Sequence, residues 1–254
     1  MLILIFLPLI IAIVYALKLK KGLYAGTLAC CIGIAAGMIM YALAVQAVTG
    51  TDLISYYRAS IASYLEQDET VTMYGYAMLT GNADISSVTM AEALPVMQSY
   101  MAEQIGYFVP AFAAGISTVG GLIVYLIARA IAKATGAEVA KIPHFTEFFL
   151  PRHFGRYSVL IFLVVYILYR TGNGGSVMAL AYSIIAAILG CVYFVQGLCF
   201  LDFIMKLRIN NVVARIIIMF VISLIFIYIF IFLGLFDQVF KVRKRIIAGR
   251  SENS

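Results

Sequence analysis

Charged residues are absent from long stretches of this chain, and the boundaries of those stretches set the first prediction. Charge-free intervals run over Met1–Leu17, Gly22–Thr51, Gln104–Ala128, Tyr157–Tyr169, Thr171–Leu201 and Ile216–Phe236. A membrane-crossing helix needs about 17–25 mostly apolar residues. Five of the six intervals meet that length, the first only just, while Tyr157–Tyr169 has thirteen residues and falls short. Within them apolar residues follow one another without the strict alternation that barrel strands require, which excludes a β-barrel. The pattern predicts an all-α, polytopic integral membrane helical bundle with five to six transmembrane helices.

The polar positions divide this single membrane domain further. Residues 1–48 read as a helical hairpin turning at Lys18, Lys20 and Lys21. Gly22, Gly26, Gly33 and Gly37 form two small-xxx-small pairs, the spacing that lets helix backbones approach closely in lipid. Residues 49–104 form the one substantial polar segment, and it is not shapeless. Asp52 to Leu65 carries apolar residues at helical spacing, and Thr89 to Glu92 has the Ser/Thr-x-x-Glu form of a capping box. A helix is expected to begin at Met90 and run on into the membrane, with a kink near Pro95 or Pro110. This acidic segment is therefore expected to be mostly helical, lying as a cap or a lid between the second and third spans. Residues 105–245 hold the remaining helices, and 246–254 a polar tail.

Composition agrees: 64% of residues are hydrophobic and 12% charged, against about 45–50% and 25% in soluble domains. With spans present, the net charge of +6 bears chiefly on orientation, and nucleic-acid binding finds no support. Residues 51–103 hold seven acids against the single Arg58, so 51–104 is expected on the extracytoplasmic side. The basic stretches 18–21 and 129–156 are expected in the cytoplasm. The first run lacks the basic n-region of a cleaved leader. The tail, with Lys241, Arg243, Lys244 and Arg245, creates a conflict. If every run crosses, this tail ends outside, against the positive-inside rule. Either 157–169 re-enters and returns the tail to the cytoplasm, or all six runs cross and the tail breaks the rule.

Few residues offer chemistry. Asp202 stands four residues before Lys206, the favourable order for a helical ion pair, and an intramembrane acid is otherwise a candidate cation or proton site. The glycine-rich turn at Thr171–Gly175 fits neither phosphate-binding loop spacing; Asn173 in it could bond a ligand. Gln196 sits mid-run, where its amide must find a partner helix or a polar cavity. A ligand cavity would draw on Asn173, Gln196, Tyr182 and Asp202. Pro143 and Pro151 bracket three phenylalanines, followed by Arg152, His153 and Arg156; with Lys241 and Arg243 these are read as facing the membrane interface or a partner. His144 and His153 do not share a helix face, and the four cysteines lie in apolar runs as packing residues. No metal, cofactor or catalytic constellation is expected, and the chain is expected not to be an enzyme.

Several short features are shared with a known family. Pro143, Phe145, Leu150 and Pro151, then Asn173, then Val195–Leu198, and above all Leu233–Arg245 with Gly234, Asp237 and Arg243, resemble the YybS-like family of bacterial multi-spanning membrane proteins, a domain of unknown function. The resemblance covers Ile105–Arg245, and the N-terminal half departs from the family's pattern. It implies a bacterial cytoplasmic membrane protein. The family is also distantly similar to the substrate-binding subunits of energy-coupling-factor transporters, which bind a small ligand near the outer face and dock on a coupling protein. Two functions follow as expectations. One is a non-catalytic partner or scaffold protein of the lipid bilayer, contacting another membrane or cytoplasmic protein. The other is a small-molecule-binding or transport-related subunit.

Overall fold

A computed structural model describes residues 2–81, 88–151, 153–172 and 175–251. Among the described residues every regular element is helical. In order these are α1 (Leu2–Lys18), α2 (Leu23–Thr49), α3 (Leu53–Gln67), α4 (Glu69–Thr80), α5 (Met90–Ala134), a 3-10 turn at Phe145–Glu147, α6 (Phe154–Arg170), α7 (Gly175–Lys206), α8 (Val212–Ile225), α9 (Ile227–Phe240) and α10 (Val242–Ser251).

Three helices, α2, α5 and α7, are long and apolar enough to cross a membrane, and α8 with α9 passes the same test as a bent pair. The apolar part of α1 and the 17-residue α6 are shorter. The 27 residues of α2 bury Leu23, Gly26, Cys30, Gly33 and Gly37 along one stripe, the three-and-four spacing of a helix face. That stripe packs on α1 and α5. A Cβ on Gly26 would stand 2.2 Å from the Tyr125 ring, and one on Gly33 would stand 2.9 Å from Leu9 Cα. Gly22 differs from the other three, because it precedes α2 and has open space around it.

The acidic segment is helical in α3 and α4, and both pack against α5. Asp52 caps α3 by accepting from the Ser55 amide at 2.9 Å, and Asp68 caps α4 through the Val71 amide at 3.0 Å. Arg58 donates to the Ala102 carbonyl at 2.8 Å and Gln98 to Glu66 at 3.1 Å, tying this cap to the first turns of α5. The helix expected at Met90 does start there, but Thr89 makes no side-chain cap bond. Glu92 instead accepts from the Tyr76 hydroxyl at 3.2 Å, so the capping-box pattern is used for a tertiary contact.

One expected span is interrupted, as a broken span or a re-entrant pair. The run Ile216–Phe236 reads as a single span, yet the helix breaks at Phe226 and bends by 111°. No glycine or proline marks the break. The two halves are held in different directions by their partners, α8 by an ion pair to the end of α7 and α9 by a close crossing over the middle of α7. Each half is 14 residues, about 21 Å at 1.5 Å per residue and too short to span alone.

Candidate functional site

The crossing of α9 on α7 is made by two glycines. A Cβ on Gly197 would lie 2.0 Å from the Phe230 carbonyl oxygen, and one on Gly234 would lie 1.9 Å from that of Tyr193. Backbone therefore meets backbone, and the neighbouring side chains are pressed together out of solvent. Gln196 and Asp237 are both fully buried, and the Gln196 amide donates to Asp237 at 3.1 Å.

Arg243 completes the cluster because the chain reverses at the end of α9. Lys241 adopts a left-handed conformation with φ 53°, which ends α9 and folds the start of α10 back. Arg243 then donates to the Asp237 carboxylate from its backbone N–H at 3.2 Å and from Nε at 2.8 Å, with a terminal nitrogen at 2.7 Å. Its other terminal nitrogen donates to the Thr146 carbonyl at 2.8 Å, and its guanidinium lies 4.0 Å from the centre of the Phe149 ring. Gln238 donates to the Pro151 carbonyl at 3.2 Å. The prolines at 143 and 151 matter here, since outside helices the backbone carbonyls of this segment are free to accept. Tail, α9, α7 and residues 145–151 are thus one hydrogen-bonded junction.

Two further contacts brace it. Asp202, near the end of α7, pairs with Arg215 of α8 at 3.1 Å, both nearly buried. Ser158 of α6 and Tyr193 of α7 share a buried hydroxyl contact, beside which Gly155 packs on Gln238. A buried carboxylate or guanidinium is tolerated only when it is paired, and here Asp237 pairs with Arg243 and Asp202 with Arg215. The arrangement fixes geometry. Among the described residues no group of three or more His, Cys, Asp or Glu side chains could hold a metal ion.

A second feature lies at the opposite end of α2 and α5. An open groove of about 420 Å³ runs beneath the start of α3, lined by Met38 and Ala42 of α2, Asp52 and Leu53, and Ala113 and Ser117 of α5. It is mostly apolar, and Ser117 already donates to the Ala113 carbonyl at 2.7 Å.

Residues 1–238 match the family described as "Predicted membrane protein (DUF2232)". The chain belongs to this family. No curated protein and no solved structure matches it. The DUF2232 match bears out the family resemblance and corrects its extent: the N-terminal half lies within the match. In this DUF2232 protein, Gly234 and Asp237 fall inside the matched region and Arg243 beyond it.

The site residues proposed from sequence are dispersed. Gln196 and Tyr182 stand 14 positions apart on α7, about 21 Å, and Tyr182 stacks on Tyr169 with ring centres 5.0 Å apart. Asn173 and Arg152 lie outside the described residues. Asp202 pairs with Arg215 in place of Lys206. His153 and Arg156 are exposed at the start of α6 and Lys241 is half-buried. Arg243, expected at the interface or facing a partner, is completely buried. Arg215 and Asp237 were missed as site residues. Arg215 left a readable signal, an arginine immediately before the apolar run Ile216–Phe236. The pairing of Asp237 with Arg243, six positions on, follows no helical spacing and depends on the turn at Lys241.

Proposed function

We propose that this protein is a non-catalytic scaffold of the bacterial cytoplasmic membrane, holding a rigid basic platform on the cytoplasmic side for a partner protein. The observation that carries this reading is the junction of Arg243 with Asp237 and Thr146, which pins the basic tail to the basic segment before α6. Lys20 pairs with Glu138, which brings the turn after α1 to the same end. Basic clusters gathered at one end support a cytoplasmic assignment for that end, and an extracytoplasmic one for the acidic α3–α4 cap. The topology that fits has α1, α2, α5, α6 and α7 crossing, while α8 and α9 enter and return. Re-entry by α8–α9, and not by 157–169, removes the conflict over the tail, and irregular backbone at depth is tolerated where protein buries it.

A second reading rests on the groove beneath α3. Its place under a helical cap suits a small apolar ligand, as the distant similarity to energy-coupling-factor substrate-binding subunits suggests. Native mass spectrometry of protein taken from its own membrane in mild detergent separates the two. The scaffold reading expects a defined second protein chain, lost in Arg243→Ala and retained in Glu69→Gln on the acidic α4 cap. A monomer carrying a small molecule and no second chain overturns it in favour of the ligand-binding subunit.

A further inference from the structure

Beside the Arg243 junction, the last turn of α7 and the first turn of α10 enclose an open basin of about 520 Å³. Two exposed ammonium groups reach it from different elements, Lys206 from α7 and Lys244 from α10. The Lys244 nitrogen lies 5.1 Å from the centre of the Phe149 ring, on which Arg243 also rests. Phe203 and Leu207 add an apolar wall.

The balance of charge decides what such a basin prefers. Arg243 is neutralised by Asp237 and hydrogen-bonded to it and to the Thr146 carbonyl. The charges left in the lining are Lys206, Lys244 and Glu147, a net of one positive. Neither lysine has an ion-pair partner among the described residues. Position adds a second constraint. Lys206 is the last residue of α7, where an apolar helix gives way to charge, and that transition marks the headgroup layer of a bilayer.

We propose that this basin holds the phosphate group of an anionic lipid. Two mobile ammonium groups on long stems can close on a phosphate as point charges, and basic pockets at the ends of membrane helices suit phospholipid headgroups. The wall of Phe203 and Leu207 faces the glycerol and acyl end, which a free phosphate would leave unmatched. Glu147 tunes the site downward by repelling the bound phosphate. A lipid held there bridges α7 and the tail, bracing the junction from outside. This inference is independent of whether the protein docks a partner.

The test is native mass spectrometry of the full chain in mild detergent, titrated with phosphatidylglycerol, with phosphatidylcholine of the same acyl chains, and with inorganic phosphate. Phosphatidylglycerol adducts are expected to exceed phosphatidylcholine adducts and to fall about thirtyfold in Lys206→Gln/Lys244→Gln, as two basic contacts near an anionic headgroup imply. They are expected to rise in Glu147→Gln and to stay unchanged in Lys133→Gln, which lies outside the basin. Equal binding of the two lipids overturns the proposal, as does an unaltered double-glutamine variant. Tight binding of inorganic phosphate in place of lipid assigns the basin to a free anion and overturns the lipid.

Discussion

The α2–α5 contact and the α7–α9 crossing both rely on glycines, but they solve different problems. At α2–α5, Gly26 takes the Tyr125 ring and Gly121 meets the backbone of Cys31, within a buried cluster that includes Ala16, Leu23 and Cys30. At α7–α9, Gly197 and Gly234 bring carbonyls into contact next to a buried carboxylate, a buried guanidinium and a buried amide. Lipid tails are as apolar as leucine, so an apolar crossing gains packing but little discrimination between registers. A misplaced Asp237 would leave two charges unpaired, at several kcal/mol. The apolar contact sets closeness, and the charged crossing sets register.

The most damaging test of that contrast is Arg243→Met. It strands Asp237 at a fully buried position, and breaking a buried pair on one side costs about 3–5 kcal/mol. Thermal unfolding in detergent micelles is expected to show that loss, with early proteolysis after Phe240. Asp237→Leu combined with Arg243→Met removes both charges and is expected to recover most of the stability. If the double variant is as unstable as the single one, the charges do not act as a pair and the contrast with α2–α5 fails.

Next in size is Gly197→Ala. Its Cβ would sit 2.0 Å from a backbone oxygen, which no rotamer change relieves, so α9 must lift from α7. Overpacking of this kind costs about 1–3 kcal/mol. Gly234→Ala is expected to do the same, and the double variant less than the sum, because one separation accommodates both methyls. Micelle unfolding midpoints of the three variants read this directly.

Gly26→Ala should be milder, because the atom in the way belongs to a side chain. The Tyr125 ring can tilt, although its hydroxyl bond to the Lys21 carbonyl resists that, and about 1 kcal/mol is a fair expectation. Gly22→Ala is the control: nothing lies within 4 Å of its Cβ position, and the change should stay within about 0.5 kcal/mol. A Gly22 effect as large as that of Gly26 would mean that backbone preference, here at the N-cap of α2, and not packing, sets the cost of these substitutions.

The same contrast explains what the sequence could reveal. Apolar runs and capping residues are local, so α2, the start of α5 at Met90 and α7 were legible, as was the buried spacing of Gly26, Gly33 and Gly37. The junction is tertiary. Asp237 and Arg243 meet through a left-handed lysine, and Asp202 reaches Arg215 across a turn, so no periodicity announces either pair. The break at Phe226 was invisible for a related reason: it is imposed by where α8 and α9 are anchored, in a run of residues that would all suit one straight helix. Lys206 looked like the partner of Asp202 because helical spacing was the only rule available.

The smallest expected effect compares an exposed carboxylate with the buried Asp237. Asp52 lies on the surface, and the Ser55 hydroxyl, then the Ser55 amide, hold its carboxyl below its ordinary value of 3.8. Its charged form is the one that caps α3. The cap's contribution is therefore complete above that ordinary value and fades as pH falls through the lowered one. Hydrogen exchange at the Ser55 amide checks this when wild type and Asp52→Asn are compared at each pH between 5 and 3. Asparagine caps without titrating, so the two proteins should match at the upper end, and wild type alone should lose protection toward the lower end. Parallel behaviour throughout would show that α3 is held by its packing on α5 and not by its cap, which would place the acidic segment with the apolar contact as a region organised by packing.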